Sequence, residues 1–419
     1  MLRTKYLIVG SGLSSYVFLK TLNKEKIKDC LVITGKDTNY KKEELFNKKK
    51  MDIDISNNFG GLGKTWLGGY STFDSHEIKN KMPNSLEIIK LFKTYKRDKL
   101  LDYNLNNSKS FPSYILDLKR IKSKKLNFFD INLVNDFINN KNAILRPKKV
   151  KDTKYLNGQL IDMNLIDDNY ISKIKYGKKF ISIKSKYIFL ACGTISTTKI
   201  LMRINVLKNK CRIKHQPYFY GFYAIKNLKN KIYKNIKMPI LNYSFQDKSF
   251  SLQGTIGSFN KRINKIINDK FLNIFNINTF KKFFFNNFIF FNAFVNSSKS
   301  KLYLIKSEKN FKLNTLQTRA ELKNLSKKIN HEIKKILLKN KINIFLNKLI
   351  IPKFGYDKHY FGSINYTNNK IIKKNSELKK YKNIFVIDQS VLDFDTNKFV
   401  TLIALFNSII VGKTINKKD

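Results

Sequence analysis

Cysteine, proline, glycine and arginine are all scarce in this 419-residue chain, and each scarcity excludes something. Its three cysteines, Cys30, Cys192 and Cys211, have no paired spacing. That rules out a disulfide framework and implies free thiols in a reducing, cytoplasmic compartment. Only four histidines occur, His76, His215, His331 and His359. None lies in H-E-x-x-H or in a His/Cys spacing suited to zinc, so no metal is expected. The apolar run at the N-terminus, broken at once by Gly10, is too short for a signal peptide. No stretch reaches the roughly 18 to 20 apolar residues of a membrane span. The nearest, FKKFFFNNFIFFNAFV from Phe280, contains Lys281, Lys282 and three Asn residues and reads as strand or core.

Only eight of the 82 basic residues are Arg, although the formal charge is +52. Nucleic-acid readers favour the bidentate fork of Arg. Here Lys is spread through the chain in company with Asn, Ile, Phe and Tyr, which reads as solvated faces of biased composition. No specific nucleic acid is expected. Peripheral association with an anionic membrane surface is the residual expectation from charge.

Against this background the positions that do hold glycine stand out. In YLIVGSGLSSYVFL, Gly10, Gly12 and Ser15 follow G-x-G-x-x-[G/A/S] between a strand and a helix. The next strand, from Cys30 to Ile33, completes a βαβ opening. Gly10 permits the tight turn, Gly12 lets a pyrophosphate approach the backbone, and the helix N-terminus offers donors to an anion. The second strand ends on Thr34, where an acidic residue would hold a ribose hydroxyl; Asp37 is a substitute. FGGLGKTWLGGY places Gly60, Gly61, Gly63, Gly68, Gly69 and the only Trp, Trp66, in one short segment. Such a segment suits a wall beside a planar ligand, with a Gly-rich surface turn as the plainer reading. The stretch KYIFLACGTISTTKIL reads as a strand, a close turn and a helix.

Elsewhere, helical periodicity is expected over residues 76–140, as in SLEIIKLFKTY and NLVNDFINN, followed by closely spaced strands from 142 to 193. Residues 212–354 mix strands with one helix, ELKNLSKKINHEIKKILLKN. The fold class expected is α/β (α+β): a Rossmann-like domain from segments 1–75, 140–211 and 355–419, a helical insertion or cap at 76–139, and an antiparallel-sheet substrate domain at 212–354.

Taken together, these segments resemble the glucose-methanol-choline (GMC) family of FAD-dependent oxidoreductases, and more narrowly its branch associated with bacterial surface polysaccharides. GGLGKTWLGG resembles the family's glycine-rich stretch, and ACGTISTTKIL its A-x-G-x-x-x-[ST]-P-x-[LI]-L, with Thr198 in place of Pro. NIFVIDQSVL, HYFGS and TNKFVTLIALF are similar to its C-terminal motifs, with Lys398 where Pro is usual. The resemblance implies FAD as cofactor. It places Gly10, Gly12, Ser15, Thr34, Gly61, Gly63, Trp66, Gly68, Val150, Ala191, Gly193, Asp388 and Thr401 at the cofactor, and His359 and Asn397 in catalytic positions.

The implied activity is oxidation of a CH–OH group, in an alcohol or sugar-derived small molecule, by hydride transfer to flavin N5. A neutral imidazole removes the hydroxyl proton, a task suited to histidine near neutral pH. The alternatives are a catalytically degenerate Rossmann-fold protein binding an anionic glycan or membrane surface, and a flavoprotein reducing double bonds.

Overall fold

The computed structural model describes the chain except residues 36–50, 52, 54, 55, 57, 65, 67, 99–117, 122, 131–133, 140, 226–239, 249, 259–287, 309, 357, 368–370 and 419. Asp37, the charged loop at 41–50 and the first half of the run beginning at Phe280 therefore lie outside the described residues.

The chain opens with β1 (Leu2–Val9), α1 (Leu13–Thr21), α2 (Lys24–Lys28) and β2 (Cys30–Thr34). Strands β1 and β2 are parallel, with Tyr6 opposite Cys30 and Val9 opposite Ile33. Outside β2 lies the parallel β6 (Lys154–Asn157), and inside β1 lies the long β9 (Lys179–Leu190). The two halves of β9 have different neighbours. Its first half pairs antiparallel with β8 (Asn169–Tyr176), which continues into β7 (Gln159–Ile166). Its second half pairs parallel with β18 (Ile384–Val386). The sequence follows this division: Ser182, Lys184 and Lys186, which keep contact with solvent, alternate with buried Ile183, Ser185 and Tyr187 before the buried run Ile188, Phe189, Leu190. A strand covered on both faces reads as a continuous apolar run, whereas one with a solvated face alternates.

Two helices cover the parallel part. The closing helix α7 (Thr401–Asn416) is apolar almost all round and packs along α1, where a Cβ added to Gly412 would lie 2.9 Å from Thr21 Cβ. A helix without a polar face belongs inside a core. Its one internal amide, on Asn407, accepts from Asn84 Nδ2 and from Ser376 Oγ, both at 2.8 Å. The other is α5 (Thr194–Arg203), directly after β9.

A second, six-stranded antiparallel sheet runs in the order β17 (Ile344–Ile350), β11 (Tyr218–Ile225), β14 (Phe288–Val295), β13 (Phe250–Ser258), β12 (Ile240–Asp247), β3 (Leu126–Asp130). One face packs Phe219, Tyr223 and Phe291 with Ile329, Ile333 and Leu337 of α6 (Arg319–Lys339). The other carries Tyr220, Phe222 and Phe290. A three-stranded sheet of β10 (Lys210–Ile213), β15 (Leu302–Lys306) and β16 (Phe311–Thr315) lies between in sequence.

The helical expectation over 76–140 holds for α3 (Ser75–Ile78), α4 (Ser85–Arg97) and residues 118–120, and fails over residues 126–130 and 135–136. Residues 126–130 are the edge strand β3, and the NLVNDFINN stretch contributes β4 (Asn135–Asp136), which pairs with β5 (Lys141–Ile144). Asn and Asp offer backbone amides a rival to the helical bond. Here Asp136 Oδ1 accepts the Asn139 N–H at 3.3 Å, and its carboxylate accepts the Asn139 amide as well. Among the described residues no helix is long and apolar enough to cross a membrane.

Candidate functional site

Three glycine-bearing segments meet at the C-terminal ends of β1 and β9, where an open parallel sheet has its crevice. Gly10 has φ +107°, and an added Cβ there would sit 2.3 Å from Ala191 O, so the first turn and the end of β9 touch through bare backbone. Gly60 N donates to Ser11 O at 3.1 Å, and a Cβ on Gly63 would strike the Leu13 side chain at 2.7 Å. The glycine-rich segment is thereby fixed over the start of α1. Gly68 packs against Ile144 with φ +81°, and the Trp66 carbonyl accepts a guanidinium N–H from Arg146. Gly69 lies 3.6 Å, by an added Cβ, from the ring of Phe399.

Two helix N-caps remain open. An added Cβ at Gly12 would come no closer than 3.9 Å to another part of the protein, and one at Gly193 would meet nothing within 4 Å. These glycines are the N-caps of α1 and α5, and neither helix has a side-chain cap or an acidic residue in its first turn. Helix α7, which starts at Thr401, also lacks both. Uncapped first-turn N–H groups facing open space suit an anion. Elsewhere in the chain α6 closes its N-terminus with a capping box of Thr318 and Glu321. Backbone donors at α1 and α5 beside cradles that a Cβ would fill fit the pyrophosphate of FAD.

The remaining cofactor candidates divide by what holds them. Ser15 is buried in the first turn of α1. Thr34, where a ribose-binding carboxylate was expected, shares a 2.7 Å hydrogen bond with Ser11 Oγ and so braces the glycine turn from the tip of β2. Val150 is buried beside β6, its N–H donated to Tyr155 Oη at 2.9 Å. Gly61 opens a short 3-10 turn and its added Cβ would meet nothing within 4 Å. Asp388 is 3% exposed; Oδ2 accepts from Gly193 N at 2.9 Å and Thr197 Oγ1 at 2.5 Å, and Oδ1 from Ser390 N and Oγ. Burial pushes its carboxyl up from the usual range, and the donors from Ser390, Thr197 and Gly193 pull the other way.

The segment carrying His359 is attached to the same end of the sheet. Thr194 Oγ1 donates to Tyr360 O at 2.7 Å, Thr198 Oγ1 lies 2.6 Å from Ser363 Oγ, and Gly362 N donates to Gln389 O at 2.9 Å. Thr198, which stands where the family pattern has Pro, thus ties α5 to the histidine loop. The His359 ring stacks on Phe294 at 4.8 Å and meets Phe399 edge-on at 5.7 Å. Its Nδ1 lies 2.9 Å from Gln216 Oε1.

Asn397 sits in a turn held from both sides. Thr396 O accepts from Ser297 N, Thr396 N donates to Ser297 Oγ, and Lys398 N donates to Thr396 Oγ1. Gln216 Nε2 donates to Lys398 O at 2.8 Å and to Thr396 O at 3.3 Å. One buried glutamine therefore joins His359 to the carbonyls on either side of Asn397. Lys398 is anchored by Glu77 at 2.7 Å. Gln216 carried no signal in the sequence beyond its place before Pro217.

The architecture defines a class: a Rossmann-like, largely parallel sheet with a second, antiparallel sheet beside it. Among solved structures the chain is similar to pyridoxine 4-oxidase from Mesorbium loti, with a TM-score of 0.62 over 99% of this chain and 100% of that one, at 11% identity. At that identity the likeness concerns the fold. No family model matches the sequence, and no curated protein matches it either.

Proposed function

We propose that the chain is an FAD-dependent oxidoreductase acting on a CH–OH group, with His359 as the base and Asn397 orienting the substrate oxygen. The observation that carries this reading is the bond from Thr194 Oγ1 to Tyr360 O, which holds the residue next to His359 against the first turn of α5, beside the open cradle at Gly193. A fold shared along the whole chain with a protein named as an oxidase supports it.

Gly12, Gly61, Gly193 and the uncapped N-termini of α1 and α5 would hold the FAD pyrophosphate, and the first turn of α7 would face the isoalloxazine. Bound FAD would supply the hydride acceptor. The chain's own task is to take the hydroxyl proton on His359 and to hold the oxygen in line with Asn397, so that CH–OH becomes C=O with one proton on the imidazole. Phe294 and Phe399 flank the ring and limit water around it. The donor is an alcohol or a sugar-derived hydroxyl.

Anaerobic mixing of FAD-loaded protein with a panel of aromatic alcohols, aliphatic alcohols and sugars tests this directly. Bleaching of the flavin by at least one donor, retained colour in His359→Ala and lost bleaching in that variant are expected. Protein that takes up no FAD, or bleaching that survives His359→Ala, rejects the assignment. The commitment of Thr34 to Ser11 favours the second reading, a scaffold that binds without turnover, and failure of every donor to bleach bound flavin would select it.

A further inference from the structure

We infer that Gln216 is a positioning residue that sets the tautomer of His359, placing the ring proton on Nδ1 and leaving the lone pair on Nε2. The inference rests on the reading of His359 as a base and adds what makes it competent.

Its first support is register. Lys214 and Phe361 exchange both backbone hydrogen bonds, each at 2.9 Å, as an isolated antiparallel bridge. Two residues further along each strand of that pairing, Gln216 falls opposite His359, and alternation puts both on the same side as the bridge pair. The side chains meet there, Oε1 to Nδ1, at 2.9 Å. Gln216 is 1% exposed, so its amide cannot trade this contact for water.

The second support is the other end of the amide. Nε2 lies 2.8 Å from Lys398 O and 3.3 Å from Thr396 O, and carbonyl oxygens only accept. Turning the amide over would set its oxygen against two carbonyl oxygens inside a buried site, a costly arrangement. With the amide fixed, Oε1 is an acceptor, and Nδ1 must be the nitrogen that bears hydrogen. A neutral ring then has its lone pair on Nε2 alone.

This geometry has a chemical consequence. When Nε2 takes a proton, the bond from Nδ1–H to Oε1 persists unchanged, so the ring need not rotate between its two charge states. Free histidine in water favours the opposite tautomer, with the proton on Nε2, in which the outward nitrogen could not accept. The same glutamine holds the carbonyls flanking Asn397, so the base and the turn that presents Asn397 share one support.

Nitrogen NMR of protein labelled with ¹⁵N-histidine tests the inference on the unmodified chain, with His359→Gln used to identify the ring among the four histidines. Above the ring's titration, Nδ1 should report as protonated and Nε2 as unprotonated. The reverse pattern overturns the inference, with or without FAD, and so separates it from failure of the flavin assignment. In Gln216→Met, which keeps length and burial, the Nε2–H tautomer should gain population. Bleaching should slow roughly ten- to a hundredfold, as when the partner that orients a metal-site histidine is removed. FAD content should not change. An unaltered tautomer in Gln216→Met also overturns the inference, and if that variant does not fold the wild-type spectrum decides alone.

Discussion

The Asp388 carboxylate accepts the backbone N–H of Gly193 at 2.9 Å, across 195 positions of sequence. That bond fixes the end of β18 to the turn from which α5 departs, and the same carboxylate gathers Thr197 and Ser390 around it. Its role in the structure is to hold two segments of the crevice in one place. Asp388→Ala would leave the Gly193 and Ser390 N–H groups and two hydroxyls without their acceptor. Each buried group left unmatched costs about 1–3 kcal/mol, so a loss of about 3 kcal/mol or more is expected. Urea unfolding should show a lower midpoint at unchanged slope. A loss under about 1 kcal/mol would mean that these donors find other partners.

Glu377 gives the fold a dependence on acid. It is 5% exposed, and burial by itself would raise its carboxyl. The Asn383 N–H at 2.8 Å, Lys373 at 3.0 Å and Asn375 at 3.4 Å outweigh burial and hold it below 4.5. A carboxyl depressed in the folded state contributes its full stability above the unfolded value and loses it as pH falls through the folded one. The wild-type chain should therefore lose stability more steeply than Glu377→Gln as pH drops below 4.5. Parallel unfolding curves for the two proteins across that range would contradict the argument.

What could be read from the residues and what could not follows from how local each signal is. The βαβ opening, β9 with α5, and β18 with α7 are apolar runs that end in glycine or in a turn, and each is complete within a short window. Residues 126–139 mislead because Leu, Phe, Val and Ile fall at spacings that serve strand or helix, while the Asn and Asp side chains that decide between them act through bonds not visible in the order of residues. Thr34 looks like a missing carboxylate until Ser11 appears 2.7 Å away. Gln216 is the clearest case. Its importance comes from pairing with a segment 143 positions later, and nothing in KHQPYF announces that partner.

Gly10 and Gly12 stand two residues apart and should fail in opposite ways, which separates folding from cofactor binding. Gly10 adopts φ +107°, and an added Cβ would lie 2.3 Å from Ala191 O, with the Ala191 carbonyl carbon and Cys192 N also within 2.8 Å. Gly10→Ala has nowhere to put its methyl without separating the first turn from the end of β9, so it should unfold at markedly lower temperature or fail to accumulate. Gly12 has φ −75°, a value any residue tolerates, and its added Cβ would be 3.9 Å from the nearest atom, Ala191 O. Gly12→Ala should cost only about 1 kcal/mol, the difference expected because Ala is a poorer helix N-cap than Gly. The methyl would instead occupy the space where a pyrophosphate approaches the N-terminus of α1. FAD uptake, followed by flavin absorbance retained after gel filtration, should fall at least tenfold in affinity while the melting temperature of the cofactor-free protein stays within a few degrees. Should Gly12→Ala bind FAD as the wild type does, the crevice above α1 would not be where the cofactor's phosphates lie.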